Sequence, residues 1–143
     1  MRVGRWARAG LLLALAACPR SRERPGGCDL NRGACAIEVG GVAIRLELSP
    51  RPLRPLTELE ASAELSSGGA PLDGAAVSLE LSMPGMYMGD NRVALRPVGG
   101  GRYAGKAVLV RCASGRRDWV AEVAARLPAG FEARARFPFE ASE

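Results

Sequence analysis

The stretch "ACAIEVGGVAIRLELS", residues 34–49, decides the fold. In its second half Val42, Ile44, Leu46 and Leu48 alternate with Ala43, Arg45 and Glu47. Alternation with a period of two places these sets on opposite faces of a pleated strand; a helical face would repeat about every 3.6 residues. Gly40-Gly41 interrupts the run. The segment therefore predicts two strands around a glycine turn.

The same period recurs downstream. In "TELEASAEL" (57–65), Leu59, Ala61, Ala63 and Leu65 alternate with Glu58, Glu60, Ser62 and Glu64. Glu, Ala and Leu suit a helix, but the alternation favours a strand. "AAVSLELSM" (75–83) aligns Val77, Leu79, Leu81 and Met83, and "NRVALRPV" (91–98) follows as another strand. "RYAGKAVLVRC" (102–112) puts Val108, Val110 and Cys112 on one face, with Ala107, Leu109 and Arg111 on the other. "WVAEVAARL" and "FEARARFPF" flank "PAG" as a closing hairpin, in which Phe131, Ala133, Ala135, Phe137 and Phe139 share a face. Trp119 is expected to be the large core aromatic. "PRPLRPL" (50–56) carries Pro50, Pro52 and Pro55, which bars a central strand. It is expected to cross between sheets. The fold class that results is all-β: an immunoglobulin-like β-sandwich of seven or eight short antiparallel strands, with a barrel as rival.

Composition agrees and excludes several chemistries. Apolar residues make up 48 % of the 143, aromatics only 5 %, and there are 18 Gly and 10 Pro. That suits short strands and turns. The basic residues are 19 Arg and one Lys, and His is absent. The usual general base, zinc ligand and haem ligand are thereby missing together. With no nucleophile–base pair and no paired carboxylates in a recognisable loop, an enzyme is not expected. Aromatics do not interleave with the Arg side chains, so nucleic acid is not an expected partner.

Residues 1–17 are expected to be a signal peptide: Arg2, Arg5 and Arg8 precede the apolar run Leu11–Ala17. At seven residues, that run falls well short of the roughly 20 a membrane-spanning helix needs. It ends in "LAAC", residues 15–18, which resembles the lipobox of bacterial lipoproteins. The resemblance implies that cleavage leaves Cys18 as a lipid-bearing N-terminus. Removing residues 1–17 takes away three Arg and no acid, lowering the formal charge from +5 to +2. "PRSRERPGG" (19–27) has nothing to bury and reaches about 28 Å in polyproline form, so residues 18–27 are expected to be a lipid-anchored tether. The domain then covers residues 28–143.

Of the four Cys, 18, 28, 35 and 112, three remain if Cys18 carries lipid. An odd number in an oxidising compartment leaves one unpaired or bound to something else. A Cys28–Cys35 disulfide would close the short ring "CDLNRGAC" and leave Cys112 free.

The remaining puzzle is "SMPGMYMGDN", residues 82–91, with every Met except the initiator. Pro84-Gly85 is the preferred centre of a type II turn, which puts Met83 and Met86 at its ends. In extended chain Met86 and Met88 share a side, opposite Tyr87. Three thioethers can converge without a helix, and soft thioether and thiolate ligands select Cu(I). Met83, Met86 and Met88 are the candidate ligands, with Cys112 a candidate fourth. The competing interpretation is packing: Met fills gaps in cores and on adaptable surfaces, and Met83 and Cys112 each continue an apolar face.

"MPGMYMGDNRVAL", then "GGGRYAGKAVL", then "SGRRDW", resembles the YtkA-like and FixH-like periplasmic domains. That resemblance implies an immunoglobulin-like sandwich associated with copper handling or haem–copper oxidase assembly. It carries a copper-ligand role onto Met83, Met86 and Met88. The lack of His departs from His-using copper chaperones and confines the expected metal to Cu(I). The expectation is an exported lipoprotein on the periplasmic face of a bacterial membrane, held through Cys18. It would bind Cu(I) for delivery to a membrane protein or for buffering. The alternative is a non-metal module that docks a membrane or periplasmic partner through its Met-Tyr-Met loop.

Overall fold

The computed structural model describes residues 27–143. The expected signal peptide (1–17), Cys18 with its lipid and the tether up to residue 26 lie outside the described residues. The elements are β1 (Cys35–Val39), β2 (Val42–Ser49), β3 (Glu58–Ser67), β4 (Ala70–Pro71), β5 (Ala76–Ser82), β6 (Arg92–Gly99), β7 (Arg102–Val108), β8 (Asp118–Arg126) and β9 (Glu132–Glu140). Eight of them form one hydrogen-bonded antiparallel path, β1-β2-β3-β7-β6-β5-β8-β9, and the two-residue β4 pairs with β3. The all-β expectation holds, with eight strands on the path and β4 as a minor addition.

Sandwich and barrel merge at β6. Its first half, Arg92 to Leu95, pairs with β5; its second half, Arg96 to Gly99, pairs with β7. One strand thus belongs to both layers, and an irregularity between Pro97 and Gly99 helps it turn the corner. Pro97 has no N–H to donate, so it is tolerated at this break in the ladder. Gly105 of β7 lies against the corner. A Cβ there would come within 2.8 Å of Leu95 Cδ2 and 3.2 Å of the Ala94 carbonyl oxygen. At the far ends of the path β1 and β9 lie side by side but share no ladder, so the sandwich is nearly closed.

Alternation fills the interior as the pattern requires. Val42, Ile44, Leu46 and Leu48 of β2 are buried, as are Val77, Leu79 and Leu81 of β5. Trp119 is buried at the start of β8. Tyr103 is fully enclosed; its hydroxyl accepts from Ala75 N–H at 3.0 Å and donates to the Leu72 carbonyl at 2.9 Å.

Two expectations need correction, and one open choice is decided. The segment 50–56 does not cross between sheets: it joins β2 to β3, which are neighbours on one ladder. Its prolines end β2 but do not redirect the chain, because Leu53 is buried and anchors the loop to the same end of the sandwich. On β7, where the sequence left the core face open, Tyr103, Ala107 and Leu109 are buried, whereas Val108 is exposed. Both faces of that stretch are apolar, so periodicity did not distinguish them. Phe131 is 45 % exposed rather than sharing the β9 core face, and its ring lies over Gly40 in the β1–β2 turn.

The loop before β1 closes one end of the sandwich. Leu30 is fully buried, Asn31 Nδ2 donates to the Glu140 carbonyl at 2.7 Å, and Asn31 Oδ1 accepts from Leu53 N–H at 2.8 Å. Cys28 and Cys35 are joined as a disulfide across this loop.

Candidate functional site

Strands β5 and β7 both flank β6 and run antiparallel to it, so their C-terminal ends emerge at the same end of the molecule. The Met segment follows β5, and Cys112 lies four residues beyond the end of β7. The topology therefore brings together features that the sequence keeps apart.

After Ser82 the chain turns at Pro84-Gly85. Met86 N–H donates to the Met83 carbonyl at 3.2 Å, and Gly85 has a φ of 71°, as the third position of a type II turn demands. Met83 and Met86 form an isolated antiparallel bridge at the turn's ends. Met83 is only 2 % exposed and continues the buried face of β5, so it fills the core beneath the turn. Met86 and Met88 are half-buried at the rim, and Tyr87 is 90 % exposed.

Cys112 is free and buried, at 8 % exposure. Its Sγ lies 3.6 Å from Met86 Sδ and 2.9 Å from Ser114 Oγ. Gly115 N–H donates to the Cys112 carbonyl at 3.1 Å, closing a turn that holds the thiol inward. Of the four predicted site residues, the structure brings Met86 and Cys112 into sulfur contact. It seats Met83 under the same turn and leaves Met88 at the edge.

Two residues of the site were not foreseen. Ser114 is one: its side-chain hydrogen bond, then its backbone hydrogen bond, hold the Cys112 thiol below its ordinary pKa. Burial pushes the other way, and Arg116 adds a smaller lowering. The hydroxyl can donate to sulfur while the thiol donates to Met86, so losing the thiol proton need not break the Ser114 contact. Arg116 is the other. Its Nη2 donates to the Pro84 carbonyl at 3.0 Å, and its Nε to Asp118 Oδ1 at 3.0 Å. Ser114 and Arg116 both lie in "SGRRDW", a segment that entered the sequence reading only through the resemblance, and nothing in spacing linked residue 116 to residue 84.

The donors gathered here are soft. Among the described residues no group of three or more His, Cys, Asp or Glu could hold a metal ion. Two sulfurs bound to one ion at zinc-like lengths of about 2.3 Å can be at most about 4.6 Å apart, so the observed separation of 3.6 Å fits a shared soft ion.

No family model matches the chain, and no curated protein matches it. Among solved structures, the soluble domain of PmoD from Methylocystis sp. ATCC 49242 (Rockwell) is similar, with a TM-score of 0.51 at 11 % identity. The match covers 76 % of this chain and 98 % of that one. At that identity the likeness is one of fold.

Proposed function

We propose that this chain is an exported, lipid-anchored domain that holds Cu(I) through Met86 and Cys112 and delivers or buffers it. The observation that carries this reading is the sulfur pair at 3.6 Å at the rim of the sandwich. Met88 is the nearest additional thioether in sequence, and Met83 a reserve beneath the turn. Thiolate and thioether select Cu(I) over hard cations, and a chain without His offers no imidazole for Cu(II). The lowered thiol pKa supports the reading, because metal binding needs the thiolate. When bound, the ion's charge would be cancelled by that thiolate. The protein's own part is to position the sulfurs, supply a donor from Ser114 and limit access of water.

The domain has no catalytic role on this reading, and nucleic acid is no partner. The membrane is reached through the lipid on Cys18, and the recipient is a copper-accepting membrane protein on the periplasmic face. Haem–copper oxidase assembly is the setting that the resemblance to YtkA-like and FixH-like domains implies. Competition with a colorimetric Cu(I) chelator under reducing conditions tests the proposal. About one equivalent should be withdrawn from the chelator by the native chain, and clearly less by Met86→Leu or Cys112→Ser. A native chain that leaves the chelator fully loaded refutes it.

One observation favours a second reading. Tyr87 is 90 % exposed between two half-buried Met side chains, as an apolar docking loop would be. On that reading Tyr87→Ser abolishes capture of a membrane partner, and Cu(I) has no effect on it.

A further inference from the structure

Among the described residues, few hydrogen bonds link the two turns that carry Met86 and Cys112. Each is closed by one backbone hydrogen bond, Met86 N–H to Met83 and Gly115 N–H to Cys112. Between them run a weak sulfur–sulfur contact and one strong side chain, Arg116. Its guanidinium grips both carboxylate oxygens of Asp118, through Nε and Nη2, while Nη2 also donates to the Pro84 carbonyl. Asp118 opens β8 and is paired there with Glu140 of β9. The arrangement therefore runs from a rigid sheet, through Arg116, to the middle of the Met turn. The planar fork of Arg suits this double task, and the single ammonium of Lys does not reproduce it.

We propose that Arg116 is the positioning residue of the sulfur site: it clamps the Pro84–Gly85 turn to the cysteine loop and so keeps Met86 and Cys112 within ligating distance. The functional meaning rests on the Cu(I) reading, but the clamp itself does not. The Arg116 and Asp118 side chains are 38 % and 56 % exposed, so their ion pair contributes little to global stability. Its effect is local. Releasing it leaves, among the hydrogen bonds of the described residues, the Cys112–Met86 contact as the link between the turn and the cysteine loop.

The test begins with the metal-free full chain. Residue-resolved amide hydrogen exchange is compared for the native chain, Arg116→Ala and Arg116→Lys. In Arg116→Ala, exchange at the Met86 and Gly115 amides should rise about tenfold or more, while core amides of β5 and β8 keep their native rates. Arg116→Lys should recover part of the protection. Unchanged exchange at those two amides overturns the proposal, and so does a uniform rise across the core, which would mark Arg116 as a merely structural residue. Cu(I) affinity is then measured by chelator competition. It should fall about tenfold or more in Arg116→Ala, as for other residues that orient metal ligands, and recover partly with Lys. If local exchange behaves as stated and the native chain takes no Cu(I), the copper reading fails while the clamp stands.

Discussion

The sulfur of Cys112 lies 3.6 Å from the sulfur of Met86, although 26 residues separate them in the chain. The contact exists because β5 and β7 flank the same strand and finish at the same end. If the pair is a ligand set, Met86→Leu and Cys112→Ser each weaken Cu(I) binding. They leave the fold intact, because Met86 is only half-buried and Ser is nearly isosteric with Cys. Chelator competition, with far-ultraviolet circular dichroism as control, checks both statements.

Met83 separates the core role from the ligand role. Met83→Leu conserves volume and should cost less than about 1.5 kcal/mol. Met83→Ala opens a cavity at a site only 2 % exposed and should cost about 2–5 kcal/mol, read from urea unfolding. If Met83→Leu also leaves Cu(I) affinity unchanged, Met83 is a core residue and no ligand.

Ser114→Ala should move the alkylation profile of Cys112 to higher pH. The Ser114 hydrogen bond is the largest cause lowering that thiol's pKa, so its loss lets the pKa rise. In the native chain the folded thiol deprotonates at lower pH than the unfolded one. Its contribution to stability is therefore present above the unfolded thiol's pKa and disappears as pH falls through the folded value. Ser114→Ala should flatten that dependence. Iodoacetamide rates across a pH series give the first result, and urea midpoints across the same series give the second.

Two glycines with similar φ should behave differently. Gly85 has open space around its missing Cβ, so Gly85→Ala carries only the left-handed backbone strain of about 1–2 kcal/mol. At Gly101, with φ 72°, a Cβ would meet the Leu65 carbonyl oxygen at 2.5 Å and the Leu72 nitrogen at 2.9 Å. Both are backbone atoms that cannot rotate away, so Gly101→Ala adds a clash of about 1–3 kcal/mol to the same strain. Thermal unfolding of the two variants should rank them in that order.

Reducing the Cys28–Cys35 disulfide should cost about 2.5 kcal/mol on the chain-entropy estimate for so short a ring. Asn31→Ala should add about 1–3 kcal/mol, because Leu53 N–H and the Glu140 carbonyl both lose their partner. Both changes act on the loop that seals the sulfur-bearing end. Urea unfolding of the oxidised chain, the reduced chain and the variant measures them.

The strand plan was legible wherever one face is apolar and the other charged. Val42 to Leu48 and Leu59 to Leu65 are buried as their alternation required. It was not legible where both faces are apolar: Ala107–Leu109 and Val108–Val110 offer the same pattern, and tertiary packing chose the first. The turn at Pro84-Gly85 could be read from two residues, because local sterics dictate it. The approach of Cys112 to Met86 could only be suspected, from both features lying at strand ends. The Arg116 contact with Pro84 left no trace in the sequence, since it depends on how β8 begins beside the end of β5.

Strand β6, shared between the two layers, limits how this molecule can come apart. Two stacked slices held only by side chains could slide or separate while each kept its own hydrogen bonds. Here the wall is one continuous ribbon, and parting the layers on the β6 side means giving up the ladder that β6 shares with β5 or with β7. The opposite seam, where β1 meets β9 without a ladder, is the place to begin, so the molecule should unroll from its first and last strands and keep the wall around β6 until the end.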